Sequence, residues 1–185
     1  MPRRRYLFDL PDRFTAGTVG EPGSRTFFLQ ARDGDRLVSV VLEKVQVAVL
    51  ADRLNDLLDE LGKRGIALVE PDASAPDGAP LDEPLREAFR AGTLTLGWDG
   101  DDGVVLVEAL AVRDEDEDDE ESEPSPDDEE GPDLLRVRLS PAAARTFVER
   151  AVRVVASGRP PCPLCGQPLD PMGHICPRRN GQYVN

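Results

Sequence analysis

Leu37-Val-Ser-Val-Val-Leu-Glu-Lys-Val-Gln-Val-Ala-Val-Leu-Ala-Asp-Arg-Leu-Asn-Asp-Leu-Leu-Asp-Glu-Leu61 changes its period part-way along. As far as Leu42 it is a short apolar run rich in Val and Leu, the pattern of a buried strand. Beyond Glu43 the apolar residues fall at Val47, Leu50, Leu54, Leu57, Leu58 and Leu61, with Asp52, Arg53, Asp56 and Glu60 between them. That spacing puts one apolar stripe on a helix. Gly62 and Gly65 mark where the helix stops. A strand followed at once by an amphipathic helix is one layer of sheet under one layer of helix.

Upstream, Arg5 to Leu10, Phe14 to Val19 and Arg25 to Arg32 read as strands. Asp33-Gly34-Asp35 is the turn into the Leu37–Leu42 strand. Downstream, Glu70 to Pro80 is a Pro/Ala/Asp linker. Asp82 to Ala91 reads as a short helix, with Asp82 as N-cap, Pro84 in the first turn and Gly92 past the end. Thr93 to Trp98 and Val104 to Val112 flank Gly100-Asp-Asp-Gly103 as a hairpin. Leu134 to Leu139 is a further strand. Ser140-Pro141 then opens a helix with Ala144, Phe147, Val148, Ala151, Val154 and Val155 on one face.

A shift of 97 residues lays Leu37–Leu42 over Leu134–Leu139, Leu50 over Phe147, Leu57 over Val154 and Leu58 over Val155. Duplication of a strand-meander-plus-helix unit would account for this; so would any strand followed by an amphipathic helix. The expected fold is α+β: mostly antiparallel sheet, covered by helices at 44–62 and 141–157. Residues 1–157 form the main domain and 158–185 a small zinc-binding tail.

The formal charge of −14 comes from one place. Asp114 to Glu130 holds thirteen acids and no base, which leaves −1 for the rest of the chain. Residues 113–133 are therefore expected to be a disordered acidic insertion between two strands, a solvated loop or an arm for a basic partner. The N-terminal Met1-Pro-Arg-Arg-Arg-Tyr-Leu lacks the apolar stretch of a signal peptide. No segment reaches the roughly twenty apolar residues of a membrane span. A cytoplasmic location is expected. There, clustered cysteines favour metal or redox chemistry over structural disulfides.

All three cysteines and the only histidine lie in one window: Cys162-Pro-Leu-Cys165-Gly, then Gly173-His174-Ile-Cys176-Pro. Three thiolates and an imidazole make a full tetrahedral set for Zn²⁺, so Cys162, Cys165, His174 and Cys176 are the candidate metal ligands. Only one residue separates His174 from Cys176, where a two-residue gap is commoner. A redox pair at Cys162 and Cys165 is the competing reading, weakened because no βαβ pattern adjoins it. Four protein ligands close the site, as in structural zinc.

With His174 spent on metal, no histidine base remains for a serine, threonine or cysteine nucleophile. No phosphate loop and no dinucleotide fingerprint occurs. The acids Asp9, Asp12, Glu43, Glu70, Glu83, Glu87, Asp99 and Glu108 read by default as surface or turn residues. Catalytic residues are therefore unknown, and the sequence leans away from an enzyme. The leading expectation is a zinc-stapled interaction or adaptor protein with a protein partner. The alternatives are an enzyme acting on phosphate or nucleotide substrates through carboxylates and arginines, and nucleic-acid binding through the tail. The pI of about 4.5 argues against the last.

Leu42-Glu-Lys-Val-Gln-Val47, Leu81-Asp-Glu-Pro84, Phe89-Arg-Ala-Gly-Thr93, Cys162-Pro-Leu-Cys-Gly-Gln-Pro-Leu-Asp-Pro171 and Gly173-His-Ile-Cys-Pro-Arg178 together resemble an uncharacterised actinobacterial family, a domain of unknown function. The resemblance spans nearly the whole chain outside the acidic insertion. It implies a bacterial, cytosolic protein, often encoded beside phosphatase-like and kinase-like proteins. It carries no catalytic residue over.

Overall fold

The computed structural model describes residues 3–66, 77–113, 130–158, 161–167, 169, 176 and 178. Among them run β1 (Arg5–Asp9), β2 (Arg13–Val19), β3 (Thr26–Asp33), β4 (Arg36–Leu42), α1 (Lys44–Lys63), β5 (Glu87–Asp99), β6 (Val104–Ala111), β7 (Leu134–Leu139) and α2 (Pro141–Ala156). The architecture is α+β, with one mostly antiparallel sheet and two helices.

Both helices begin where the chemistry of their first turns allows. Glu43 and Gln46 form a capping box at α1, each side chain serving the other's backbone amide. Ser140 accepts from the Ala143 amide at 3.1 Å, with Pro141 in the first turn of α2. Val47, Leu50, Ala51, Leu54, Leu58 and Leu61 of α1 are buried, as are Ala144, Phe147, Val148 and Ala151 of α2. The helices pack on each other and against the sheet.

The strands lie in the order β1-β7-β6-β5-β4-β3-β2. β2-β3-β4 is an antiparallel meander followed by α1; β5-β6-β7 is another, followed by α2. The two halves thus repeat one order of elements. β4 and β5 join them in parallel, and β1 lies parallel to β7 at the far end.

That order has a geometric consequence. β1 and β2 are the two ends of the sheet, yet only Leu10, Pro11 and Asp12 separate them in the chain. Four Cα steps from Asp9 to Arg13 reach at most about 14 Å. Seven flat strands would hold their outer members about 29 Å apart. The sheet must therefore curl until its ends approach. Side chains across the gap agree. Arg36, at the start of β4, donates to the Leu7 carbonyl at 2.9 Å and stacks over Phe8. The Gly34 amide donates to Asp12 at 2.9 Å.

α2 fills the hollow, touching β2 at one end of the sheet and β6 and β7 toward the other. Phe147 is fully buried, its ring centroid 4.7 Å from that of Phe14 on β2. Arg150 donates to the Ala16 carbonyl at 3.0 Å, so the edge of β2 is covered at that point.

The segment from Asp77 to Arg86 is not the approach to a helix. It lies against β2 and β3 and leads directly into β5. Leu81 presses on Gly17, where any Cβ would come within 2.6 Å of the leucine Cγ. Gln30, 1% exposed, accepts from the Asp82 amide and donates to the Asp82 carbonyl and to Ser39. Arg13 uses all five of its N–H groups: on both carboxylate oxygens of Asp77, on Asp82, and on the carbonyls of Ala79 and Pro80.

The helix expected over Asp82–Ala91 is corrected by this arrangement: Glu87 to Ala91 is the start of β5. Phe89 and Ala91 face the core and Arg90 faces water, a period of two. A bulge at Gly92 shifts the alternation by one, so Leu94, Leu96 and Trp98 resume the inward face. Pairing with β4 outweighed the local helix signals. The acidic insertion lies between β6 and β7, an antiparallel pair. Of the residues 113–133 expected to be disordered, 114–129 lie outside the described residues; at the far end Asp133 is held in place, accepting from the Ala111 and Arg4 amides at 2.8 and 2.9 Å, which corrects that end of the expectation.

Two substitutions test this packing. Phe147→Ala is expected to lower unfolding free energy by about 3–5 kcal/mol in urea melts, as a fully buried ring is lost from the hollow. Arg13→Ala is expected to cost about 3 kcal/mol, because Asp77 keeps its burial and loses the guanidinium bonded to both its oxygens.

Candidate metal centre

The tail builds its site from a short turn. Pro163 and Leu164 separate the first two cysteines. The Cys162 amide donates to the Gln167 carbonyl at 2.7 Å, and the Gly166 amide to the Cys162 carbonyl at 2.8 Å. Gly166 turns the chain with φ of +73°, which a side chain would resist. The turn aims backbone N–H groups at sulfur: those of Leu164 and Cys165 at Cys162, and that of Gln167 at Cys165.

The Sγ atoms of Cys162, Cys165 and Cys176 all lie within 4.8 Å of one another. Cys162 and Cys176 are buried, their sulfurs 3.9 Å apart. A disulfide needs about 2.05 Å. Thiolates 2.3 Å from a tetrahedral ion sit about 3.8 Å from each other. The spacing fits donors gathered around one ion. The expected ligands Cys162, Cys165 and Cys176 are thus brought together; His174 lies outside the described residues. Three close cysteines are able to hold a metal ion.

The electrostatics favour a thiolate at Cys162. The amides of Leu164 and Cys165, helped by the neighbouring thiols and opposed by burial, draw the Cys162 thiol down to about 6. At Cys165 the Gln167 amide favours the anion, but burial and the two neighbouring sulfurs outweigh it and push the thiol up. A charge on one sulfur thus opposes a charge on its neighbour, a conflict that a cation would relieve.

Elsewhere, acids and arginines converge twice. One cluster is the Arg13 clamp, extended by Arg32 to Asp82 and by Arg150 and Arg153 to the Asp77 carbonyl. The other lies on β6 and β7. Arg136 pairs with Glu108, which also accepts from Thr95, and Arg138 pairs with Asp9, Asp99 and Asp102. Glu108 is only 6% exposed, which corrects its reading as a surface acid. Sequence reasoning missed both clusters. Asp77 lies 64 residues from Arg13, and no local pattern links them.

The fold and the site define the class: a curled, mostly antiparallel α+β body with a C-terminal cysteine cluster. Residues 6–176 match the model of the family described as protein of unknown function (DUF3090), and the chain belongs to that family. The matched span takes in all three cysteines and His174. No curated protein and no solved structure matches the chain. No helix among the described residues is long and apolar enough to cross a membrane.

Burial raises the proton affinity of Asp77. Hydrogen bonds from Arg13 and Thr15, with the charges of Arg13 and Arg150, outweigh it and hold the carboxyl below its ordinary range. A depressed carboxyl stabilises the fold above the unfolded value of about 3.9 and loses that effect as pH falls through the folded value. Asp77→Asn is therefore expected to lower stability at pH 7 and to flatten its decline below about pH 4. Denaturant melts across pH 2.5–7 check both.

Proposed function

We propose that the protein is a non-catalytic interaction module, an adaptor whose C-terminal tail is folded by one structural zinc ion held by Cys162, Cys165, His174 and Cys176. The observation that carries the reading is the gathering of three sulfurs at metal-ligand spacing, with backbone amides aimed at two of them. Soft thiolates with one imidazole favour zinc, and four protein ligands leave no position for water or substrate. A cytoplasmic setting agrees with thiols kept apart and reduced. An actinobacterial origin agrees with twenty arginines against two lysines.

The alternative, an enzyme of phosphate or nucleotide chemistry, needs arginines and carboxylates free to meet a ligand. Arg13 has no N–H left, and Arg138 is engaged by three carboxylates. These closed networks favour a structural role for both clusters. Nucleic-acid binding through the tail is the third reading; retention of DNA or RNA falling steeply with salt would favour it.

Metal analysis tests the zinc. The purified chain is expected to carry one zinc, and Cys165→Ser to lose most of it; near-zero zinc in both rejects the site. Affinity capture from the native host tests the adaptor. A stoichiometric partner is expected with the wild type and at reduced yield with Cys165→Ser. Recovery of none counts against the reading.

A further inference from the structure

α1 carries a second row beside its buried stripe, of which Leu57 packs partly against the core and Val45 and Val49 are exposed. Val45, Val49, Arg53 and Leu57 follow one another at four-residue intervals, so they share one face. Val45 and Val49 are 65% and 51% exposed. Beside this row runs β5. Between them lies a depression of about 300 Å³ lined by Val49, Leu50, Arg53, Leu57, Leu94 and Leu96, with Gly97 at its end.

Arg53 is the one charged residue of that lining. Its guanidinium makes no hydrogen bond or ion pair with any described residue, while Arg13, Arg138, Arg145 and Arg150 are all engaged. Asp52 and Asp56, its neighbours on α1, are exposed and lie outside the lining. An apolar groove holding one uncommitted cation complements an apolar surface that carries a carboxylate. A groove beside a helix takes a second helix by its i, i+3, i+4 and i+7 positions.

We propose that the α1–β5 groove is the docking site for an acidic amphipathic helix of a partner protein, its apolar face on Val49, Leu57, Leu94 and Leu96 and a carboxylate on Arg53. The proposal rests on the interaction-module reading and names the chemistry of the partner. The charge of the protein sharpens the test: at −14 overall, unspecific attraction favours a basic peptide, the opposite of what the groove selects.

The probe is a fluorescein-labelled synthetic amphipathic peptide of about eighteen residues, with leucines on one helical face and glutamates on the other; its twin carries lysines for the glutamates. Anisotropy titrations use the full chain. Saturable binding of the acidic peptide is expected. Val49→Asp weakens it about tenfold or more, as loss of a central apolar anchor does. Arg53→Glu weakens the acidic peptide about tenfold and strengthens the lysine twin. Both positions are exposed, and unchanged thermal melts show the variants folded. No saturation with the acidic peptide overturns the proposal, as does a preference that Arg53→Glu leaves unaltered. Dimerisation in light scattering that Val49→Asp abolishes also overturns it, since the groove would then hold a second copy. Cys165→Ser separates the two readings: peptide binding survives loss of zinc if the groove acts by itself. A groove that fails while zinc is retained leaves the stapled tail standing.

Discussion

Three residues hold the two ends of the sheet together. With Leu10, Pro11 and Asp12 as the only covalent link between its outer strands, the sheet has no flat solution. Leu10 shows the tightness of the corner, a leucine with φ of +50°. Curling creates a hollow, and a hollow in water must be filled with apolar atoms at interior density. Phe147 and its neighbours on α2 do this. The helix also shields the edge of β2, which would otherwise invite pairing with another chain. Curvature, helix placement and edge protection therefore follow from one short connection.

The outer surface needs its own cover, because β2 and β3 place Thr15, Phe28 and Gln30 on it and all three are buried. The segment from Asp77 to Arg86 supplies part of that cover without regular structure. A chain laid over a sheet must satisfy its own polar groups. Gln30 answers both backbone groups of Asp82, and Arg13 gathers two carboxylates and two carbonyls. A guanidinium is suited to this, since its donors spread in a plane and it stays charged. The same saturation that makes Arg13 a good clamp makes it a poor ligand site.

The sequence revealed what is local and hid what is not. α1 and α2 were legible because their apolar period, caps and stops lie within single stretches. β7 was legible because Leu134–Leu139 is bounded by Pro132 and by Ser140-Pro141. β5 was misread at its start because the bulge at Gly92 breaks the alternation that marks a strand, while Asp82, Pro84 and Gly92 imitate helix punctuation. The curl was illegible because strand order is a property of pairing. The Arg13 clamp and the Glu108–Arg136 pair join residues far apart in the chain, each ordinary in its own neighbourhood. The cysteine cluster was legible for the opposite reason, since two of its sulfurs share one turn.

The sheet with its helices and the C-terminal segment differ in apolar content. The body buries a contiguous core of strand and helix residues. Beyond Gly158 the chain offers only Leu164, Leu169, Met172, Ile175, Tyr183 and Val184 as sizeable apolar side chains, and Leu164 is exposed. So few apolar side chains offset little of the entropy that ordering a chain segment costs. A metal ion bound by four side chains supplies free energy of the needed size from a handful of atoms. On the reading proposed above, a metal on the cysteines would do for this segment what the apolar core does for the sheet and helices. The gathering of three sulfurs is then a matter of holding the chain, and that role asks for donors at ligand spacing and nothing more.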